Sequence, residues 1–331
     1  MKKRVKKYLG PFLFIQFFTL NCLALDNIPF AEYIYNGKNC FSIRYTSGSL
    51  IFIPEDAFTP ACTGTIKIKY REMHSKVDML EAGINMIYEE NGKRRMLESA
   101  GMFEIYAECN GKPLELAPNK TIQVRMRCKR NFPQVEAFVY DKKKNIWGKA
   151  GIPVVDFSYL KNNNNKDNTS MWGSSSRGGN YVMNDSLENM LMVTSIIGTL
   201  PDGYIKGMNI KTMGLYNYDY LYHDEKAVPI MASFKLTTGE TISEAYVAYR
   251  SINSLIHYFA EDYKEKFVLL PVKGISIFCI FKDGSCAIMD QKKLDALDIS
   301  ALKNKEYEFI LEKQPAKPKN KNELAKALRI D

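Results

Sequence analysis

Histidine and tryptophan are scarce in this chain: three histidines (His74, His223, His257) and two tryptophans (Trp147, Trp172) occur among 331 residues. The histidines stand far from the cysteines in sequence, and no CxxC pair occurs, so the usual zinc and dithiol frameworks are excluded. GxGxxG, P-loop, HExxH, GxSxG and EF-hand patterns are absent, which removes the chemistries those motifs carry. The nearest glycine-rich stretch, WGSSSRGGN, lacks a flanking strand and helix. Past residue 20, no apolar run is long enough to cross a bilayer. Helical periodicity is rare too; 185–197 and 323–329 are the best helix candidates. On these grounds no metal, cofactor or catalytic constellation is expected.

The one apolar run that does occur opens the chain. In MKKRVKKYLGPFLFIQFFTLNCLALDN, five basic residues precede the stretch from Tyr8 to Leu20. That is the layout of a secretory signal, and Gly10, Pro11 and Gln16 make it a poor membrane span. Small residues in Cys22-Leu23-Ala24 favour cleavage after Ala24, which makes 1–24 the signal peptide. The alternative is Leu20-Asn21-Cys22 as a bacterial lipobox, with lipidation of Cys22 as the sole membrane attachment. Loss of 1–24 takes five positive and no negative charges, lowering the formal charge from +9 to +4. Part of the basicity is therefore the signal, which argues against a nucleic-acid partner. Six cysteines then remain, an even number that suits disulfides in an exported chain.

The composition breaks at KNNNNKDNTSMWGSSSRGGN, 161–180, which cannot bury a core and reads as a flexible linker at 159–185. It separates a domain at 28–158 from a second β-rich domain at 186–313, with a basic polar tail at 314–331. Both halves read as strands. GTIKIKY sends Ile66, Ile68 and Tyr70 to one face, and TIQVRMRC sends Ile122, Val124, Met126 and Cys128 inward. Turn signals recur every ten or so residues, so the expected class is all-β, with two sandwich-like domains.

Asn91-Gly92 is a strong hairpin signal. Counting outward, Glu90 faces Lys93, Glu89 faces Arg94, Tyr88 faces Arg95 and Ile87 faces Met96. An unbroken ladder then sets Gly83 against Ala100 and Ala82 against Gly101, so LEAGI and LESAGM become two sides of one thin spot in a sheet. That reading is favoured over Glu81 and Glu98 as paired ligand carboxylates. A second hairpin at Asn110-Gly111 pairs Ala107 with Leu114 and Ile105 with Leu116, and puts Phe103, Ile105, Ala107 and Cys109 on a core face. Since Cys128 also points inward, Cys109–Cys128 is the first disulfide candidate and Cys40–Cys62 the second. A two-residue turn at Asp283-Gly284 makes Cys279 and Cys286 diagonal neighbours about 7–8 Å apart, past the usual disulfide reach of about 7 Å. A different turn would allow that bond, so their pairing stays open.

YDYLYHDE brings Asp219, His223, Asp224 and Glu225 together in sequence, the one cluster that could serve acid–base or metal chemistry. A polar turn after a tyrosine-rich strand is the favoured reading. The many tyrosines suit either an aromatic binding platform or the filling of sheet faces.

GSLIFIPEDAF, DMLEAGINMIYEENGKRRMLESAGMFEI and GKPLELAPNKTIQVRM resemble a domain of exported Bacteroidota proteins reminiscent of the ZU5-like β-sandwich. Asn85 and Asn119 depart from it, where proline and glycine are commoner. IKTMGLYNYDY, SFKLTTGETI and SINSLIHYF are more loosely similar to a pattern that often follows, so the resemblance covers about two thirds of the chain. It implies residence in the periplasm, in the outer membrane or at the cell surface, and it brings no catalytic residues. It also implies O-glycosylation at Asp-Ser/Thr-apolar motifs; Asp185-Ser186-Leu187 fits, with Ser186 as acceptor.

The expectation is thus a non-catalytic, exported cell-envelope structural or protein-interaction module whose partners are envelope or surface proteins. A surface glycan-, peptidoglycan- or peptide-binding protein is the alternative. A hydrolase using the Asp219/His223/Glu225 region is the second alternative.

Overall fold

A computed structural model describes residues 28–157 and 204–330, apart from Asn91, Pro133 and 223–225. The signal peptide, Cys22, the linker, Ser186, His223 and Glu225 lie outside the described residues. Among the described residues, 49% lie in strands and 10% in helices, giving an all-β, sandwich-like fold.

The first part contains β1 (Ala31–Tyr35), β2 (Phe41–Arg44), β3 (Leu50–Ile53), β4 (Phe58–Thr59), β5 (Ile66–Met73), β6 (Ile87–Glu90), β7 (Lys93–Cys109), β8 (Lys112–Leu116), β9 (Ile122–Cys128), β10 (Glu136–Asp141), β11 (Ile146–Lys149), β12 (Val155–Asp156), β13 (Tyr204–Ile210) and β14 (Gly214–Tyr222). One sheet runs β1-β5-β7-β14-β10-β11-β6, and the facing sheet runs β12-β13-β9-β3-β2. The alternation read from sequence puts Ile68, Tyr70, Phe103 and Ile105 of one sheet against Ile51, Val124 and Met126 of the other, in a single core. Each such side chain, at most 1% exposed, contributes about 1.5–3 kcal/mol of burial.

The strands after the linker return to this sandwich. β13 pairs with β9 over seven residues, and β14 lies between β7 and β10. The division between the two parts therefore falls after Tyr222, not at the linker. The alternation of 204–222 was visible in sequence; its partners in β9 and β7, from 76 residues earlier (Cys128 for Tyr204) to 126 (Met96 for Tyr222), were not.

The second part contains β15 (Val228–Pro229), β16 (Met231–Leu236), β17 (Glu244–Tyr249), β18 (Leu255–Phe259), β19 (Val268–Leu269), β20 (Ile275–Ile280), β21 (Cys286–Met289) and β22 (Glu306–Lys313). Its main sheet runs β16-β22-β21-β20-β17-β18. One face has its own core, with Val247, Tyr249, Ile277 and Phe309. The other face shares a third core with the sandwich: Ala248, Leu255, Phe278 and Ile288 meet Met86, Leu97, Phe138 and Trp147. Three α-helices, α1 (Lys76–Glu81), α2 (Gln291–Asp295) and α3 (Lys321–Leu328), and two 3-10 helices, Ala260–Asp262 and Ile299–Leu302, complete the described residues.

The helix candidate at 323–329 forms α3, but the tail that carries it is not a polar appendage. Leu324 and Leu328 are no more than 2% exposed and join the third core, as does Ile330. Asn320 caps the helix through Glu323 N, Lys321 pairs with Asp78 beside α1, and Ser276 Oγ donates to Leu328 O at 2.6 Å. The helix was legible in the sequence; the basic composition of 317–321 hid that its apolar residues, which recur at helical spacing, are buried.

The Asn91-Gly92 hairpin holds its expected register from Glu90–Lys93 to Ile87–Met96. The ladder does not reach LEAGI. Ser75 and Asp78 form a capping box that starts α1, and LEAGI ends it. Gly83 N donates to Leu80 O at 3.1 Å and Ile84 N to Met79 O at 2.8 Å, a Schellman motif with Gly83 at φ +65°. LESAGM is a bulge in β7. Tyr218 faces Gly101 and Asp219 faces Ser99, leaving Ala100 as the extra residue. A Cβ on Gly101 would lie 2.9 Å from Met126 Cε. The two steps are therefore not cross-strand partners; one caps a helix, and the other bends a strand. The Asn110-Gly111 hairpin pairs Ala107 with Leu114 as expected, but β8 then leaves β7, so Leu116 faces Phe58 of β4 rather than Ile105.

Cys109 bonds Cys62, with Cα atoms 6.1 Å apart, rather than Cys128. Cys109 lies at the end of β7 opposite Ile66 of β5, beside the loop that carries Cys62. Cys128 is buried in the sandwich core, and Cys40 is exposed; both are free thiols, so neither expected pairing forms. Cys279 and Cys286 are also free. A longer turn sets Ile280 against Cys286 and Cys279 against Ala287, so this one-residue difference sends the two thiols to opposite faces of the sheet. Burial pushes the Cys279 thiol up to about 12 and raises Cys128 and Cys286 as well, leaving them protonated and unreactive.

Candidate binding cleft

The β17–β18 hairpin presents two faces. Val247, Ile256 and Tyr258 enter the core of the second part. On the opposite face, Ala248 pairs with Leu255, Tyr246 with His257 and Glu244 with Phe259. Ala248 and Leu255 are sealed against the sandwich in the third core. The ladder then runs out from under that cover, and its last two cross-strand pairs line an open cleft of about 460 Å³. Gly83 from the end of α1 and Asn145 from the β10–β11 turn form the opposite rim; Ser243 and Glu261 lie at its ends.

The free edge of β18 is held by the sandwich, which fixes the site. Met86 N donates to Leu255 O at 2.9 Å, and Ser99 N donates to Asn253 O at 3.0 Å. Past Leu255, Asn85 acts as a short length of strand: Nδ2 donates to His257 O at 3.0 Å, and His257 N donates to Oδ1 at 3.1 Å. Glu98 accepts from Arg130 at 2.6 Å and from Asn253 N at 3.2 Å, which ties the seam to the sandwich.

Within the cleft, Tyr246 stacks on His257 with centroids 4.1 Å apart and planes 11° apart. Its other face lies over Phe278 at 5.4 Å and 10°. Phe259 tilts against His257 at 4.2 Å. His257 Nε2 lies 3.2 Å from Glu244 Oε2, close enough to pair but poorly aligned for a hydrogen bond. The approach of His257 holds the Glu244 carboxyl below the usual carboxylate range, against partial burial, with Lys282 adding to it. The lining therefore holds two carboxylates, Glu244 and Glu261, with an imidazole, aromatic rings, a hydroxyl and an amide. Among the described residues, no group of three or more His, Cys, Asp or Glu side chains is placed to hold a metal ion.

Asp219 lies elsewhere. It sits mid-sheet in β14 between Ser99 and Glu136, fully buried, and neither carboxylate oxygen has a hydrogen-bond partner among the described residues. Burial first, and the charge of Glu98 second, raise its pKa well above the usual carboxylate value. It is closed off from solvent, where burial favours the protonated form. Tyr216 and Tyr218 of the same strand fill the sandwich core, and Tyr222 packs against the core of the second part. Of the two carboxylates weighed as ligands, Glu81 and Glu98 are both buried, and Glu98 is engaged by Arg130.

Glu244, Tyr246, His257 and Phe259 did not stand out in sequence. Their signal was the alternation in EAYVAY and LIHYF; the register that joins them passes through a turn, 250–254, without a strong pairing signature. A scan against family models and searches of curated proteins and of solved structures found no match to this chain.

Proposed function

We propose that this protein is a non-catalytic, exported cell-envelope module that works by binding a partner protein, with the cleft at the open end of the β17–β18 hairpin as its contact. The observation that carries this reading is the cleft itself. A hairpin clamped along one edge by Asn85, Met86 and Ser99 presents polar and aromatic side chains at a rigid opening between the two parts of the chain. The volume falls in the range of small-ligand and side-chain pockets, roughly 300–1,000 Å³. Export is supported by the basic and apolar start of the chain and by the Cys62–Cys109 disulfide, which suits an oxidising compartment. The likeness to ZU5-like envelope proteins points the same way. A glycan platform is less well supported, because the tyrosine-rich strand turns Tyr216 and Tyr218 inward.

Site-specific cross-linking in the native envelope tests this. A photo-reactive residue at exposed Ser243 is compared with one at exposed Lys303, and the mature N-terminus is read by mass spectrometry. A discrete adduct from position 243 but not 303, on a chain lacking Met1, supports the reading. A cytoplasmic chain that retains Met1, or identical adducts from both positions, overturns it.

A further inference from the structure

We propose that the cleft seats the ammonium or guanidinium head of a lysine or arginine side chain presented by the partner polypeptide. This inference rests on the cleft being the partner contact and names what enters it.

The first argument is charge. Glu244 and Glu261 both line the cleft, and none of the described residues lining it is lysine or arginine. Both carboxylates also act on the buried hydroxyl of Tyr263, which places their fields in the same region. His257 and Lys282 act on Glu244, and of the lysines that precede Asn145 in the β10–β11 turn, Lys142 pairs with Glu104 and Lys144 with Asp141. Glu261 is exposed.

The second argument is the orientation of the rings. A sugar or a planar base needs a free aromatic face. Both faces of Tyr246 are taken, one by His257 and one by Phe278, with near-parallel planes. The row of rings across β20, β17 and β18 leaves no stacking platform on Tyr246, so recognition falls to charge and hydrogen bonding. Ser243 adds a hydroxyl oxygen to the two carboxylates, acceptors suited to a group that carries only donors, while Asn145 Oδ1 already accepts from Tyr140. Phe259 supplies an apolar wall for the methylene stem that a lysine or arginine carries behind its charge.

The test uses the full mature chain and short glycine–serine peptides that hold one lysine, one arginine, one Nε-acetyl-lysine or one citrulline. Peptides are titrated by NMR, with backbone amides at 243–246 and 257–261 followed. The charged peptides are expected to shift these amides saturably, and their neutral counterparts to leave them unmoved. Glu261→Gln, at an exposed position that does not bear on folding, is expected to weaken binding about threefold, as an exposed charge pair does. Glu261→Lys is expected to abolish binding. Equal binding of charged and neutral peptides, or unchanged affinity in Glu261→Lys, overturns the proposal. Binding of a neutral oligosaccharide at the same amides in place of the peptides also overturns it. A discrete cross-link from position 243 alongside any of these failures leaves the cleft as the contact and removes only its charge specificity. Loss of both removes the reading beneath it.

Discussion

The seam between the two parts is closed by the last helix, and that can be measured. Removing residues 320–331 takes Leu324, Leu328 and Ile330 out of the third core. At about 1.5–3 kcal/mol for each fully buried side chain, the loss is roughly 5–9 kcal/mol. The Lys321–Asp78 pair and the bond from Ser276 to Leu328 O are lost as well. Domain stabilities run at about 5–15 kcal/mol, so the truncation consumes much of the total. Leu328→Ala is the gentler form, expected to cost about 2–5 kcal/mol as a buried leucine truncation. Urea unfolding followed by tryptophan fluorescence suits the measurement, because Trp147 is buried in the same core. Leu328→Ala should lower the midpoint without changing the slope, and the truncation should shift both. If the truncated chain unfolds at the full-length midpoint, the helix does not stabilise this core and the reasoning fails.

Three further outcomes follow from the same geometry. Asp219 keeps its proton in the folded chain to a higher pH than in the unfolded chain, so its contribution to stability is undiminished below the unfolded value and falls as pH rises, by up to about 1.4 kcal/mol per unit, until the folded value is passed. Asp219→Asn should remove that fall, and parallel stability curves for the two chains between pH 4 and 8 would count against it. Cys62→Ala opens a loop with a sequence separation of 47, expected to cost about 4 kcal/mol on the chain-entropy model, whereas Cys128→Ala should leave the mass-mapped disulfide intact. Gly83→Ala should cost about 1 kcal/mol in thermal unfolding, because the Schellman position needs φ +65° although nothing lies within 4 Å of the added methyl; a rise in midpoint would contradict it.

Local patterns carried the reading from sequence where the forces were local. Alternation placed Ile68, Tyr70, Val124 and Met126 in the core because a strand has period two and one face must be buried. Asn91-Gly92 set its register because the turn itself holds the two strands in step. The reading broke where a distant segment decided the outcome. LEAGI reads equally well as a ladder or a helix end, and the capping box at Ser75 with the packing of α1 chose the helix. Cys109 had several inward-facing thiols to choose among, and the approach of the Cys62 loop, not the face it pointed to, selected its partner.

By itself the amino-acid sequence determined the class of this protein: strands and tight turns. It also determined most of the buried face of each long strand, since the alternation is written in consecutive residues. The tertiary structure alone decided which strands are neighbours, and with them the cleft. β14 had to cross the linker to reach β7, and Asn85 had to meet His257, 172 residues away in the chain, before Glu244, Tyr246 and Phe259 had an opening to line. Contacts of that separation depend on how whole sheets pack, and no short window of sequence encodes them.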